Sequence, residues 1–421
     1  MASCELPPPK KKSAPTTISS LSDDLLREVF VRLASLPSLV RAALTCRTFL
    51  GAVRSSPAFR HRFRDLHPAP LLGVFLDIFG PDMHVFRPIC RRHDLDHAAA
   101  VRGADVFLTR VSDLEDEVDG DGPLWSMTDC RDGYVVLVNR RTKRAAVYDP
   151  ITRGLHLIPA PPKEVCKDPE DAEVEFHVVT CEEDRRSFRV VLVCGSEENR
   201  AERVAVFSPD SREWQIAIAP DAGSPQLQVE DIGTLVNGCV YWTDGVGDIH
   251  VLNAATLQFS QMDPPPTRMG WLQACKFGET SDGKLCMAWT SDRDRVLDVS
   301  IWRADDDNDG VHKWMPGTTG FEMLDAIDKL KLRFEDESPS MLEVNVIAII
   351  GGTVYLSTFD SWASPPSSYG WFLSFCIETE ELKKVCHITR SGSSYPYVMA
   401  WPPVLVRNSN KVNSLGQKGL D

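Results

Sequence analysis

Several features that would point to familiar chemistry are absent from this 421-residue sequence. Twelve cysteines are present, yet none forms a C-x-x-C pair. Most lie in apolar stretches such as FRVVLVCG and WFLSFCIE, so they read as small buried hydrophobes with free thiols in a reducing compartment. Apolar runs are short. VIAII (Val346–Ile350) holds five residues, against roughly 20 needed to cross a bilayer. The first twenty residues contain no apolar signal-peptide core, and no secretory leader is expected. No G-x-S-x-G, P-loop, G-x-G-x-x-G or H-E-x-x-H motif occurs. Ten histidines and 60 acids make chance proximity common, so no catalytic triad follows from the sequence.

Charge of one sign is scarce where it counts. Residues 1–67 carry eleven Lys/Arg against five Asp/Glu, a net of +6, which leaves −20 for the rest of a chain whose total is −14. So acidic a body repels phosphate backbones, and nucleic-acid binding by it is not expected.

Two acidic or ligand-rich stretches resemble metal sites and fall short. In DDDNDG, Asp305, Asp307, Asp309 and Gly310 fit an EF-hand loop, but its twelfth position is Pro316 where a bidentate Glu is required. CRRHDLDH sets Cys90, His93 and His97 at zinc-like spacing with no second pair to complete the site, and reads as a polar surface loop. Neither a metal nor a cofactor is expected.

What the sequence does contain divides in two. Residues 1–17 lack periodicity and read as a flexible leader. From Ser22, a predicted N-cap with Asp23 and Asp24 behind it, the pattern turns helical. Leu25, Leu26, Val29, Phe30 and Leu33 span about 140° of the wheel. Pro37 is expected to break this helix. A second carries Leu39, Val40, Ala43 and Leu44. A third carries Cys46, Phe49, Leu50 and Val53 and is expected to close at Pro57. Three helices in some 40 residues are near the lower limit for an independent core, so their apolar faces need a partner.

From residue 70 the pattern is that of strands, and it repeats. DGYVVLV, NGCVYWT, DGKLCMAW and GGTVYLS each follow a glycine turn, with RRSFRVVLV as a degenerate copy. The markers Gly133, Arg186, Gly238, Gly283 and Gly352 stand 53, 52, 45 and 69 residues apart. Most copies precede a second hairpin with a polar turn, as in AVYDPITRGLHLI and HVLNAATLQFSQM. Two hairpins about every 50 residues are the signature of propeller blades, although a solenoid or two β-sandwiches also satisfy it. The long step holds an insertion, part of it helical (FEMLDAIDKLKLRF). A sixth blade is expected from 71–120 (LLGVFLDIF, ADVFLTRV), with YPYVMAWPPVLV closing the ring. Trp214, Trp242 and Trp302 are expected at equivalent core positions.

On these residues the helical stretch resembles the F-box, whose pattern runs roughly L-P-x-D-L-L-x-E-I-L-x-R-L-P-x-x-S-L-x-R-x-x-x-V-C-x-x-W. Leu21, Asp24, Leu25, Leu26, Glu28, Val29, Arg32, Leu33, Leu39, Arg41 and Cys46 match, and Phe49 stands where tryptophan is usual. Ser22 replaces a proline, and the spacing after Leu33 is altered. The β-rich remainder is similar to the kelch-like, F-box-associated propellers of plant F-box proteins.

The resemblance implies an α+β multidomain chain: leader 1–17, three-helix F-box 18–64, all-β six-bladed kelch-like β-propeller 68–407, disordered tail 408–421. It implies a non-catalytic substrate-recognition subunit of a Skp–cullin–F-box ubiquitin ligase in the cytoplasm or nucleus. The partners would be a Skp-type adaptor, through it a cullin, and a protein substrate, with no nucleic acid or membrane. Leu21, Leu25, Val29, Leu33, Leu36 and Leu39 are then the expected adaptor-facing residues. Trp362, in FDSWASPPSSYGWF, is the expected exposed aromatic for substrate. The alternative is a propeller enzyme or glycan-binding protein with a vestigial F-box.

Overall fold

The structure is a computed structural model that describes residues 18, 21–77, 84–89, 94–112, 125–166, 173–180, 187–195, 203–218, 232–243, 248–266, 275–291, 295–304, 312–330, 342–360, 369–389 and 392–406. The chain divides into two compact units, residues 1–67 with 404–421 and residues 68–403.

Among its described residues the first unit has four α-helices where three were expected: α1 (Asp23–Phe30), α2 (Leu36–Ala43), α3 (Arg47–Arg54) and α4 (Pro57–Leu66). Both prolines read as terminators instead open helices, standing in the first turns of α2 and α4. A residue without an N–H costs nothing there, since the first turn has no carbonyl to donate to. Ser22 caps α1 by accepting from the Leu25 amide, and Ser56 caps α4 by accepting from that of Phe59 at 3.1 Å. Leu26, Leu39, Ala43, Ala52 and Val53 are fully buried. The ring of Phe30 meets Phe49 edge-on at 5.3 Å. α4 is tied to α1 by Arg62 and Glu28, 2.6 Å apart. The end of the chain joins this unit as well: Arg54 Nε donates to the Val404 carbonyl at 2.6 Å.

The second unit is a six-bladed propeller. Five blades are four-stranded antiparallel sheets in chain order. Blade II holds β3 (Trp125–Arg131), β4 (Tyr134–Asn139), β5 (Ala145–Asp149) and β6 (Gly154–Ile158); blade III holds β7 (Glu173–Thr180), β8 (Phe188–Gly195), β9 (Arg203–Ser208) and β10 (Glu213–Ile218). Blade IV comprises β11 (Thr234–Val236), β12 (Cys239–Thr243), β13 (Ile249–Asn253) and β14 (Gln258–Met262). Blade V comprises β15 (Cys275–Glu279), β16 (Leu285–Thr290), β17 (Val296–Ala304) and β18 (His312–Glu322), followed by helix α7 (Met323–Lys329); blade VI comprises β19 (Leu342–Ile350), β20 (Thr353–Asp360), β21 (Tyr369–Cys376) and β22 (Glu381–Thr389). Helices α5 (Leu95–Gly103) and α6 (Thr109–Ser112) precede blade II.

Blade I closes the ring from both chain ends. Its strands β1 (Leu71–Asp77) and β2 (Val85–Pro88) come early, and β23 (Ser393–Val398) comes last. β23 pairs antiparallel with β1, Gly73 opposite Tyr397 and Phe75 opposite Tyr395, and it neighbours the inner strands β3 and β19. The stretch ADVFLTRV, expected as a strand of this blade, instead ends in α6.

Three of the four repeated glycines share one cause. Asp132–Gly133, Asn237–Gly238 and Gly351–Gly352 each have φ between 49° and 77° at both turn residues. Those are the tight turns that match the twist of an antiparallel pair. The outer turns end on a left-handed residue too, Arg153, Arg212, Leu257 and Glu380. Asp149 and Asn253 hold their turns by accepting from amides two and three residues ahead. The second strands are buried along their length because blades cover both faces. Clusters such as Val136, Val190 and Leu192, or Val299, Ile349 and Phe375, fill the gaps between consecutive blades.

Two polar clamps hold the surroundings. Asp105, on the segment between α5 and α6, accepts from Tyr148 Oη at 2.6 Å and from Thr109 Oγ1 at 2.7 Å. His97, expected near a surface loop, is buried with Nε2 3.0 Å from the Leu71 carbonyl, and Asp94 caps α5. Cys90 and His93 lie outside the described residues, as does DDDNDG. Trp214, Trp242 and Trp302 fall on a fourth, a second and a third strand, so they are not equivalent.

Two outcomes follow. A Cβ at Gly278 would overlap the side chain and carbonyl of Ile349 on the next blade, whereas Gly103 at the end of α5 has open space. Gly278→Ala is expected to lower unfolding free energy by about 1–3 kcal/mol, and Gly103→Ala to leave it unchanged or raise it, in chemical denaturation. For Asp105, burial raises the pKa, but the bonds from Tyr148 and Thr109 outweigh it and hold the carboxyl below its ordinary value. A depressed folded-state pKa contributes stability above the unfolded value, near pH 4, that is lost as pH falls through the folded one. Tyr148→Phe should therefore cost about 1–3 kcal/mol at neutral pH and less at pH 3 and below, measured by denaturant titration at both.

Candidate functional site

The rotation of α1 decides which of its apolar residues are free. Leu26 and Phe30 face inward, 0% and 2% exposed. On the flank, Arg27 reaches α3: Nε donates to the Ala52 carbonyl at 2.9 Å and Nη2 to Ser55 Oγ at 2.8 Å, while Nη1 holds Asp24 at 2.7 Å. With those two sides fixed, Leu25 and Val29 point to solvent, 54% and 41% exposed, one helical turn apart. The broad apolar arc read from the sequence is thus split, half inside and half out.

The other expected adaptor-facing residues separate. Leu21 and Leu33 are half-buried. Leu36 and Leu39 are 4% and 0% exposed, because α2 turns them into the unit's own core. Leu44, at the C-cap of α2, is 52% exposed, an accessible leucine that was not among the expected adaptor-facing residues.

In the propeller, antiparallel pairing puts the first turn of each blade at one end and the second at the other. At the first-turn end, Arg131 of blade II lies 3.9 Å from Glu279 of blade V. These blades stand opposite in a ring of six, so the pair spans the central axis. Glu279 also accepts from the Gly351 amide at 3.2 Å, and burial raises its pKa against the pull of Arg131. Many turns at this end are two to four residues long. The opposite end carries the second turns and the connections between blades, the longer segments that suit recognition. Trp362, in the stretch of sequence between β20 and β21, lies outside the described residues.

Among the described residues, no group of three or more His, Cys, Asp or Glu side chains gathers to hold a metal. A cavity of about 320 Å³ beside α7 is lined by Glu322, Asp325, Lys329 and Glu380, with no histidine or cysteine. The Cys194 thiol is pushed up to about 12 by burial, with Cys166 adding to it, and burial pushes that of Cys386 to about 11. Thiols so held are poor nucleophiles. Glu175 is the half-buried polar hub that the sequence concealed. It accepts from the Gly233 amide at 3.0 Å and Trp242 Nε1 at 3.1 Å, with His177 Nε2 at 3.1 Å, joining blades III and IV. Its partners lie up to 67 residues away, and no linear pattern marks them.

Comparison with known proteins gives the following. No curated protein matches the chain in sequence. Among solved structures, a chain of a nidogen/laminin complex is similar over 77% of this chain and 97% of its own, at 10% identity and a TM-score of 0.35. TolB from Acinetobacter baumannii is similar over 64% and 69%, at 12% identity and a TM-score of 0.27. A luciferin-regenerating enzyme is similar over 66% and 78%, at 12% identity and a TM-score of 0.32. The family described as "F-box protein AT5G49610-like, beta-propeller" matches residues 126–405, about two thirds of the chain, from the first strand of blade II through ring closure. On that match, the chain belongs to the F-box protein AT5G49610-like β-propeller family.

Proposed function

We propose that the protein is a non-catalytic substrate receptor of a Skp–cullin–F-box ubiquitin ligase. In this reading the helical unit docks on a Skp-type adaptor, which bridges to a cullin, and the propeller presents a protein substrate from the end that carries its longer connections. The observation that carries the reading is the exposed pair Leu25 and Val29 on α1, beside Leu26 and Phe30, which are already spent on the internal core. Isolated exposed leucines are ordinary. Leu25 and Val29 together, a turn apart on a helix that Arg27 holds against α3 and whose sequence follows the F-box pattern, suit a helical partner. The family of the propeller supports the same reading.

Burying each of these side chains contributes roughly 1.5–3 kcal/mol. Leu25→Glu with Val29→Glu is therefore expected to weaken capture of a purified Skp-type adaptor by at least ~100-fold. Leu66→Glu, an equally exposed leucine on α4, should leave capture intact, with circular dichroism reporting the fold of all three. Adaptor binding that survives the double change, or fails in the unaltered chain, overturns the reading.

A further inference from the structure

The strongest local departure from the acidic character of the propeller is the β4–β5 hairpin, NRRTKR (139–144), which sets four cations in five positions. Its backbone is locked. Asn139, 8% exposed, accepts through Oδ1 from the amides of Arg141 (3.1 Å) and Thr142 (2.9 Å). Its own amide donates to the Arg144 carbonyl, and the Lys143 amide returns to the Asn139 carbonyl, both at 2.8 Å. On this fixed turn Arg140, Arg141 and Arg144 are exposed and Lys143 is half-buried. Among the described residues, no hydrogen bond or ion pair engages these four side chains.

The positive surface continues onto blade III. Cys194 stands opposite Arg203 in the β8–β9 register, and both Arg203 and Lys143 act electrostatically on its thiol, which brings the two cations to one seam. Arg203 Nη1 donates to the Glu164 carbonyl at 2.7 Å, beside exposed Lys163. On the blade I side, Arg140 acts on the partly buried Asp77 carboxyl. Among the described residues, Asp77 and Glu164 are the acids that these contacts bring beside the six cations. This arc of cations lies at the second-turn end of the ring, with the longer connections.

We propose that Arg140, Arg141, Lys143, Arg144, Lys163 and Arg203 form a docking surface for a carboxylate-rich segment of a protein partner. Guanidinium forks bind carboxylates in pairs, and a rigid hairpin presents them with little ordering cost. The charge of −20 outside residues 1–67 opposes a long phosphate polymer at a distance, whereas a short acidic segment needs only this arc. The inference rests on the propeller being the substrate-presenting part and names the chemistry it would hold.

The test is fluorescence anisotropy of labelled octaglutamate with the full chain, at low and at physiological salt. Binding by the unaltered chain is expected, at least ~10-fold weaker for Arg141→Glu with Arg144→Glu. Lys329→Glu with Lys383→Glu, the same change in net charge elsewhere, should bind as the unaltered chain does. Thermal unfolding checks the fold of each variant. Adaptor capture is read in a separate assay, so either reading can fail while the other stands. No binding at low salt, equal weakening in both double variants, or tighter binding of octathymidylate than octaglutamate overturns the proposal. So does binding that appears only once Asp113, Glu115, Asp116, Glu117, Asp119 and Asp121 are changed to amides, since the chain's own acidic stretch would then fill the arc.

Discussion

The pairing of β23 with β1 is the constraint on which the propeller depends. Every other blade is built from strands close in sequence, joined by short turns that form locally. Blade I alone requires residues 393–398 to find residues 71–77. Until they do, β1 presents an unpaired edge on one side, and the inner positions of blades II and VI lack the strand between them. Because each hydrophobic cluster is shared by two blades, an open ring exposes apolar surface at both of its ends. The Arg131–Glu279 pair across the axis also needs blades II and V at their closed spacing. Local turns make blades; one long-range pairing makes the ring.

The helical unit solves a smaller version of the same problem. Its core is slight, and α1 divides its apolar residues between that core and solvent. Arg27 makes the division definite, since its two hydrogen bonds to the end of α3 hold the helix in one orientation. Had α1 been free to roll, Leu25 and Val29 would have competed with Leu26 and Phe30 for the interior. A surface that a partner can recognise therefore depends on an internal polar staple.

Much of the fold was legible in the sequence, for reasons that can be named. The glycine turns are readable because a left-handed backbone at both turn residues demands Gly, Asn or Asp, and those residues punctuate the chain regularly. The second strands are readable as runs such as YVVLV because both faces are covered, which favours continuous apolar sequence over alternation. What misled was context. Pro37 and Pro57 carry the same local signal whether they end a helix or begin one. ADVFLTRV has the composition of a strand, yet Asp105 is claimed by Tyr148 from 43 residues away. Leu36 and Leu39 lie on an apolar stripe like that of Leu25, and only the packing of α2 shows that the unit consumes them itself. The basic hairpin was visible as NRRTKR, but its weight comes from Arg203 and Lys163, which only the register of the next blade brings near.

Closure by the final strand also sets an order in time. At about 5–20 residues per second, β23 leaves the ribosome tens of seconds after β1, with roughly 320 residues made in between. The four helices are complete before any of this begins. A message that ends before residue 393 would lack β23 and leave the four helices joined to an open ring, with Arg54 also deprived of the Val404 carbonyl.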